Sequence, residues 1–327
     1  MKKILVILLI HLFILVTAFF IVTSYTPKPF FYVTQFIHKQ PKPVKPKNEK
    51  EISKNIKIQK DIIYSNKFKN STMDLYFPKN KKKVPVIIFI HGGGFFLGDK
   101  NMANYFGKAM SNDKYAYISI NYNLVPEATI FEQLEQINEA IKFIKEYSDE
   151  YSLDSTKINL SGSSAGGFLA MQLLSVYHNE KYARNLGITP VEDIEFNSIL
   201  LYSTIFNLSH FQQYNKNIIY NYFVNEIGWG ITGDKYWRES DEIGDALNLT
   251  QYISENFPPI FITDGNINTF KEQALMYSSE LRKKNVKVET LFFDESIKVG
   301  HGYQLKMNTD VSKQSVQKSL NFLNDIN

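Results

Sequence analysis

The chain has 327 residues, of which 44% are hydrophobic and 21% are charged, enough apolar material for a large α/β domain. Its formal net charge is +4, and several of the excess lysines lie between residues 39 and 47. The rest of the chain is therefore near neutral, and nucleic acid is not an expected partner. Because the chain has no cysteine, disulfides, thiolate metal sites and thiol nucleophiles are excluded.

The first 25 residues form the clearest non-globular segment. Lys2 and Lys3 precede the apolar run ILVILLIHLFILVTAFFIV, residues 4–22, which is long enough to span most of a hydrocarbon core of about 30 Å. A cleaved signal peptide usually has a shorter apolar stretch of about 7–15 residues and a small-residue cleavage site. We therefore expect residues 1–25 to be an uncleaved signal anchor that crosses the membrane once, with a cleaved signal as the alternative.

Residues 26–60 are rich in lysine and proline and contain few large apolar side chains. Such a composition does not bury enough surface to fold independently, so it predicts an extended, solvated tether between the anchor and a folded domain.

From residue 61 to residue 327, strands alternate with helices. Strands at 61–65 and 73–77 precede VPVIIFI (84–90), a β-branched run typical of a parallel sheet that is covered on both faces. The later elements are helices at 101–112, 131–147, 165–177, 270–284 and 311–324, and strands at 115–120, 157–162, 198–203, 259–263 and 286–293. This order predicts an α/β domain with a mostly parallel, doubly wound sheet and helices on both faces.

The alternation stops between residues 207 and 256, a segment that contains both tryptophans. An aromatic insertion at this place is either a lid that forms a substrate pocket or a packed helical excursion, and both interpretations remain open.

Gly162, Ser164 and Gly166 form the pattern G-x-S-x-G between a predicted strand and an apolar helix. In that setting a serine on a strained turn is held at the end of the sheet, and the glycines remove side chains that would collide. We predict that Ser164 is a nucleophile, which requires a general base to remove its proton.

The base is found by elimination among six histidines. Five lie in the anchor, the tether, the glycine-rich loop, the far part of a helix or the start of the insertion: His11, His38, His91, His178 and His210. His301 remains, on a loop between the last strand and the last helix, with His210 as a weaker alternative.

Three consecutive glycines follow His91 in HGGGF. Backbone N–H groups that face the oxyanion of an acyl-transfer reaction are worth roughly 3–4 kcal/mol each, and glycines permit close approach of the backbone. We predict that Gly93, Gly94 and Ala165 donate to the oxyanion and that His91 braces the loop. A phosphate-binding loop is disfavoured because no Lys-Ser/Thr follows and the G-x-G-x-x-G spacing is missing.

Four motifs, HGGGF (91–95), NYNLVPEA (121–128), GSSAGG (162–167) and GHGY (300–303), occur in this order. Over roughly residues 62–327 the chain resembles the hormone-sensitive-lipase-like carboxylesterases of the α/β-hydrolase superfamily. The resemblance implies the α/β-hydrolase fold and a serine hydrolase that acts on carboxylic esters without a cofactor or a metal.

The sequence departs from the family pattern at the acid of the catalytic triad. The usual Asp-Pro-Leu register after the strand PPIFITDG places Asn268 at the aspartate position, and loss of the carboxylate in a related triad costs about 10⁴ in turnover. We expect Asp264 or Glu272 to substitute, and both remain candidates. Ser163 replaces an aspartate that relatives often have, and we expect it to adjust the hydrogen bonding of the turn.

Together these features predict a single-pass, membrane-anchored esterase whose catalytic domain lies outside the cytoplasm. The expected substrates are small-molecule or envelope-polymer acyl esters. Two alternatives remain: a hydrolase-fold binding or interaction module of the envelope with weakened catalysis, which Asn268 favours, and a peptidase on the same fold.

Overall fold

The computed structural model of the protein describes residues 2–38, 42–79, 83–111 and 114–326. Within this part of the chain, one eight-stranded sheet has the strand order β1-β2-β4-β3-β5-β6-β7-β8. The strands are β1 (Ile56–Ile63), β2 (Thr72–Pro78), β3 (Val84–Ile90), β4 (Ala116–Ile120), β5 (Leu153–Ser163), β6 (Phe196–Tyr202), β7 (Ile260–Asp264) and β8 (Val288–Phe292). β2 pairs antiparallel with β1 and β4, and the remaining neighbours are parallel, so the predicted mostly parallel sheet is confirmed.

Helices precede the sheet and connect its strands. They are α1 (Lys2–Thr23), α2 (Lys28–Ile37), α3 (Glu49–Ser53), α4 (Asn104–Met110), α5 (Ile130–Glu146), α6 (Ala165–His178), α7 (Glu180–Leu186), α8 (Ile218–Thr232), α9 (Asp241–Ala246), α10 (Lys271–Lys283) and α11 (Asp310–Ile326). The helix predicted at 101–112 begins later because residues 100–103 form a 3₁₀ turn, and its residue 112 lies outside the described residues.

The central strand β3 illustrates how the two faces of the sheet are covered. Val86, Ile88 and Ile90 pack into one hydrophobic core, whereas Ile87 and Phe89 pack into a second core on the opposite face. Successive side chains of a strand point to opposite faces, so a strand that is covered on both sides is apolar throughout.

The parallel strands bring polar residues to one edge of the sheet. His91 directly follows β3, Ser164 follows β5, Ser203 follows β6, and Asp264 is the last residue of β7. Because the carboxyl ends of neighbouring parallel strands meet, these residues lie along one crevice.

The structure does not have the extended segment predicted for residues 26–60. The helix α2 packs on the domain with Phe31 fully buried and Phe30 only 5% exposed, and β1 begins at Ile56 rather than near residue 61. The prediction rested on the average composition of residues 26–60, which does not reveal the short amphipathic sequence KPFFYVTQFI within them. Residues 39–41 of the predicted tether lie outside the described residues.

The helix α1 is long and apolar enough to cross a membrane, and its most apolar 18-residue window has no buried residue. Length and composition suit an anchor and a signal sequence alike.

The insertion at 207–256 is helical. It contains α8 and α9 together with two 3₁₀ turns, Ser209–Gln212 and Leu249–Tyr252.

Candidate active site

Ser164 occupies the sharp turn between β5 and α6, with φ 54° and ψ −120°. A Cβ at Gly162 would lie 2.3 Å from the carbonyl oxygen of Gly166, and one at Gly166 would lie 2.1 Å from that of Ile90. The turn therefore excludes side chains at both glycines of the G-x-S-x-G pattern, and it presents Ser164 at the crevice.

The imidazole of His301 faces this serine. Its Nε2 atom lies 3.0 Å from Oγ of Ser164, although the two residues are 137 positions apart in the chain. Burial of the ring lowers the pKa of His301 below its ordinary value, which favours the neutral imidazole that accepts a proton. The ring of Phe270 packs edge-on against it at 5.4 Å.

His91 lies at the start of the glycine loop, where a bracing role was predicted for it. The side chain is fully buried, its Nδ1 atom lies 2.8 Å from the carbonyl oxygen of Gly92, and its ring stacks on Tyr122. Burial lowers the pKa of His91 to about 4. The neutral ring therefore holds the start of the glycine loop and does not titrate near neutral pH.

The glycine loop approaches the nucleophile closely. A Cβ at Gly92 would lie 3.1 Å from Cβ of Ser164, and Gly94 and Ala165 line the same cavity as Ser164. Gly93 has φ 121°, and its carbonyl oxygen accepts hydrogen bonds from Phe96 and Leu97, which fixes the conformation of the loop.

The three N–H groups predicted to bind the oxyanion belong to Gly93, Gly94 and Ala165. Among the described residues, none of them donates to a protein acceptor. A backbone donor at the wall of a cavity is available to a ligand.

Neither candidate acid is hydrogen-bonded to His301 in the described part of the chain. Glu272 is exposed and lines a separate depression together with Asn268. Asp264 is fully buried, and its two carboxylate oxygens accept hydrogen bonds from the N–H groups of Gly265 and Phe270 at 2.7 Å and 2.9 Å. The acid of a catalytic triad accepts a hydrogen bond directly from the imidazole, and neither described carboxylate does so here.

Asp264 instead reaches His301 through intermediate residues. The hydroxyl of Ser203 is near enough to its carboxylate to oppose the rise in the pKa of Asp264, and Oγ of Ser203 accepts the N–H of Gly302 at 3.1 Å. The Oδ2 atom of Asp264 accepts the N–H of Phe270, whose ring contacts the imidazole. Burial raises the pKa of Asp264 to about 6, although hydrogen bonds from these neighbours oppose the rise.

Two further contacts attach the His301 loop to the sheet. Asn266 donates from Nδ2 to the carbonyl oxygens of Asp294 and Ile297, and Gln304 donates to Oγ of Ser163 at 2.7 Å. The second contact links the loop to the serine turn through the side chain of Ser163.

Ser203 and Phe270 were not predicted from the sequence to belong to the site. Ser203 directly follows a buried strand, at the same edge of the sheet as Ser164. This position could have indicated that Ser203 lies near the site. Phe270 had no signal, because its contact with His301 depends on the conformation of the intervening loops.

An apolar cavity of about 310 Å³ opens at Ser164. The insertion supplies half of its lining, and most of that share comes from one face of α8. The lining residues from the insertion are Leu208, Phe211, Val224, Ile227, Gly228, Ile231 and Trp237. The insertion thus forms a wall of the cavity next to the nucleophile.

The residues that the structure describes include no group of three or more His, Asp or Glu side chains arranged to hold a metal ion.

Comparison with solved structures places this architecture in the α/β-hydrolase fold. Esterase B from Lactobacillus rhamnosis superimposes with a TM-score of 0.74 at 18% identity, covering 95% of this chain and 93% of that chain. A bacterial heroin esterase superimposes with a TM-score of 0.62 at 18% identity, covering 91% of this chain and 97% of that chain. Identities at this level establish the shared fold.

The model of the BD-FAE family matches residues 73–281. The chain therefore belongs to the BD-FAE family, and its resemblance to the hormone-sensitive-lipase-like carboxylesterases is confirmed.

Two relatives from Arabidopsis thaliana differ in how much of each chain is matched. A probable isoprenylcysteine alpha-carbonyl methylesterase is 30% identical over 114 residues, 35% of this chain. The match spans only about a quarter of that relative's length, 24%. Probable carboxylesterase 7 is 25% identical over 297 residues, which cover 82% of this chain and 87% of the relative.

Proposed function

We propose that the protein is a carboxylesterase in which Ser164 is the nucleophile and His301 is the general base. The observation that carries this proposal is the 3.0 Å separation between Nε2 of His301 and Oγ of Ser164 at the wall of an apolar cavity. The esterase names of the relatives and structural neighbours support the same reaction class.

The reaction begins when Oγ of Ser164 attacks the carbonyl carbon of the ester and its proton passes to Nε2 of His301. The N–H groups of Gly94 and Ala165, with that of Gly93, stabilise the oxyanion. When the tetrahedral intermediate collapses, the imidazolium returns the proton to the departing alcohol and an acyl-enzyme remains. Water then attacks the acyl carbonyl while the imidazole accepts its proton. When the second tetrahedral intermediate collapses, the bond to Oγ of Ser164 breaks, the imidazolium returns the proton to Oγ, and the acid product leaves.

We assign Asp264 a positioning role in this mechanism. The carboxylate acts on the imidazole through Ser203 and Phe270, so it fixes the orientation of His301 but does not touch the reacting atoms. The exposed Glu272 has no role in this proposal.

The cavity indicates which part of the substrate it receives. Its lining is almost entirely apolar and begins at Ser164, so the acyl group or the alcohol group that enters it is apolar. The proposed substrates therefore remain acyl esters with one apolar group, either small molecules or envelope polymers.

Ester hydrolysis by the full-length protein tests the proposal. We expect turnover of p-nitrophenyl butyrate that Ser164→Ala abolishes and that Ser155→Ala, at the opposite end of β5, leaves unchanged. Faster hydrolysis of peptide amides than of esters would support a peptidase instead. Folded protein without turnover of either class would support the binding module, which the missing carboxylate contact at His301 favours.

We further propose that α1 is an uncleaved, single-pass anchor and that the catalytic domain lies outside the cytoplasm. The length of this mostly apolar helix, 22 residues, supports its retention, because a cleaved signal peptide usually has an apolar stretch of about 7–15 residues. Digestion of intact cells with added protease tests the orientation: we expect the catalytic domain to be cut, and full protection would contradict the proposal.

A further inference from the structure

The outward face of α2 is apolar. Tyr32, Val33, Phe36 and Ile37 are 49%, 45%, 90% and 66% exposed, and they lie on the side of the helix opposite the buried Phe31. A helix on the surface of a soluble domain has polar residues on its outward face, so α2 needs a different environment on that side.

A second exposed apolar group lies on the first turns of α8. Ile218, Ile219 and Phe223 are 83%, 69% and 48% exposed. The ring of Phe223 lies 5.6 Å from that of Phe30 in α2, so the two groups adjoin. We call their combined area the α2–α8 face; it consists of residues 32, 33, 36, 37, 218, 219, 220 and 223.

The α2–α8 face lies next to the end of the apolar helix α1. The ring of Phe20 in α1 is 5.2 Å from that of Tyr222, and the hydroxyl of Tyr222 donates to Oγ1 of Thr23 at 2.9 Å. Only four residues separate Thr23 from Lys28, where α2 begins, and they span at most about 14 Å when extended. If α1 crosses a bilayer, the α2–α8 face is therefore held at the surface of that bilayer.

The helix α8 forms a wall of the catalytic cavity, and α2 packs behind another part of the lining. The side of α8 that carries Val224 and Ile227 lines the cavity. Phe31 of α2 packs at 5.3 Å against the ring of Phe96, which is also a lining residue. The exposed α2–α8 face and the lining of the cavity thus lie on opposite sides of the same layer of packed side chains.

We propose that the α2–α8 face is immersed in the interfacial region of the lipid bilayer and that the substrate is an ester resident in that bilayer, whose acyl chain enters the cavity past α8. Aromatic and aliphatic side chains on an interfacial helix suit this environment. The direct continuity of the face with α1 identifies the bilayer, and not a second protein, as its occupant. The substrate part of the proposal depends on the esterase activity and the anchoring proposed above, whereas the location of the face depends on the anchoring alone.

Depth-dependent quenching tests the location of the face in the full-length protein. The chain has no cysteine, so Phe36→Cys, Ile219→Cys and the control Met276→Cys each provide a single labelling position. Met276 is 67% exposed on α10. With a fluorescent label and the protein in phosphatidylcholine vesicles that contain nitroxide-labelled lipid, we expect strong quenching at positions 36 and 219 and little at 276. Equal quenching at all three positions, or none at 36 and 219, would overturn the proposal.

A second measurement tests the source of the substrate. The rate of diacylglycerol hydrolysis in phosphatidylcholine vesicles is divided by the rate with soluble p-nitrophenyl butyrate. We expect this ratio to fall roughly tenfold in Phe36→Glu/Ile219→Glu, because two apolar contacts with the bilayer are lost, and to stay unchanged in Met276→Glu.

An unchanged ratio in the double variant would overturn the part of the proposal that concerns the substrate. Absence of Ser164-dependent hydrolysis of both esters would instead overturn the esterase activity. The quenching result would then still decide where the α2–α8 face lies.

Discussion

At the scale of single residues, the unusual feature is the route by which a carboxylate reaches the catalytic histidine. The resemblance in the sequence implies an acid at the position of Asn268, whereas the carboxylate of Asp264 lies fully buried. Asp264 accepts the N–H of Phe270 and neighbours Ser203. Phe270 contacts the imidazole of His301, and Ser203 accepts the N–H of Gly302. In our proposal this carboxylate fixes the geometry of the site and does not accept the Nδ1 proton.

The positioning role predicts a kinetic signature. In Ser203→Ala and in Asp264→Asn we expect kcat to fall roughly 10- to 100-fold while KM changes little, because a small displacement of a catalytic group costs this much. The double variant should lose little more than the more impaired single variant, since both changes disrupt the same contacts. Steady-state kinetics with a soluble ester measure this, and Glu272→Gln is the control. A larger loss in Glu272→Gln than in Asp264→Asn would contradict the assignment.

The pH dependence of activity follows from the lowered pKa of His301. The imidazole must be neutral to accept the serine proton, so kcat/KM should rise with pH through the pKa of His301. Because burial lowers that pKa, the midpoint should lie below the ordinary value of about 6.5. Burial raises the pKa of Asp264 to about 6, so this carboxyl titrates in the same pH range as His301. The variant Asp264→Asn removes the carboxyl, and the rise in kcat/KM that persists in it therefore belongs to His301. A midpoint above 6.5 in both proteins would contradict this account.

At the scale of secondary-structure elements, α2 connects the amino-terminal segment to the glycine loop. Nε2 of Gln35 donates to the carbonyl oxygens of Phe96 and Val125 at 2.8 Å and 2.9 Å. Phe96 follows directly after the HGGGF motif. The helix thus stabilises the loop that carries the proposed oxyanion donors, and it belongs to the catalytic domain.

Replacement of Gln35 tests this connection. In Gln35→Leu, two carbonyl groups lose their donor, so we expect the free energy of unfolding to fall by about 1–3 kcal/mol and kcat to decrease. Denaturant titration and ester hydrolysis measure the two effects. Tyr32→Phe, which removes an exposed hydrogen bond from the outer side of the same helix, is the control. Wild-type stability and kcat in Gln35→Leu would show that α2 does not support the loop.

The edge strands are joined by a buried ion pair. Nζ of Lys100 lies 2.6 Å from the fully buried carboxylate of Asp74 in β2 and 2.7 Å from the exposed carboxylate of Asp61 in β1. The pair therefore connects the turn after the glycine loop to the antiparallel edge of the sheet.

Removal of the lysine alone leaves a buried negative charge without its cation. We expect Lys100→Met to lower the free energy of unfolding by about 3–5 kcal/mol, and Lys100→Met/Asp74→Leu to recover part of that loss. Thermal or denaturant unfolding of both variants measures the difference. If the double variant were the less stable of the two, the explanation by an unpaired charge would be wrong.

At the scale of the whole molecule, the sheet and the meeting of Ser164, His301 and the glycine loop at its edge could be predicted from the sequence. Each of these has a local signature, such as the apolar run of β3 or the glycines around Ser164, and parallel strands bring their ends together. The docking of α2 depends on contacts between residues distant in the chain, for example Gln35 with Val125. The positioning role proposed for Asp264 depends on the contact between Ser203 and Gly302, which are 99 positions apart, and no local pattern encodes that contact.

Reaction with a fluorophosphonate tests the central claim most directly, which is that Ser164 is activated by His301 at the apolar cavity. Mass spectrometry of the full-length protein should reveal one adduct, located on Ser164. Ser164→Ala should lose the adduct, His301→Ala should form it at least about 100-fold more slowly, and Ser155→Ala should form it at the wild-type rate. An adduct on another residue, or folded protein that does not react at all, would contradict the account.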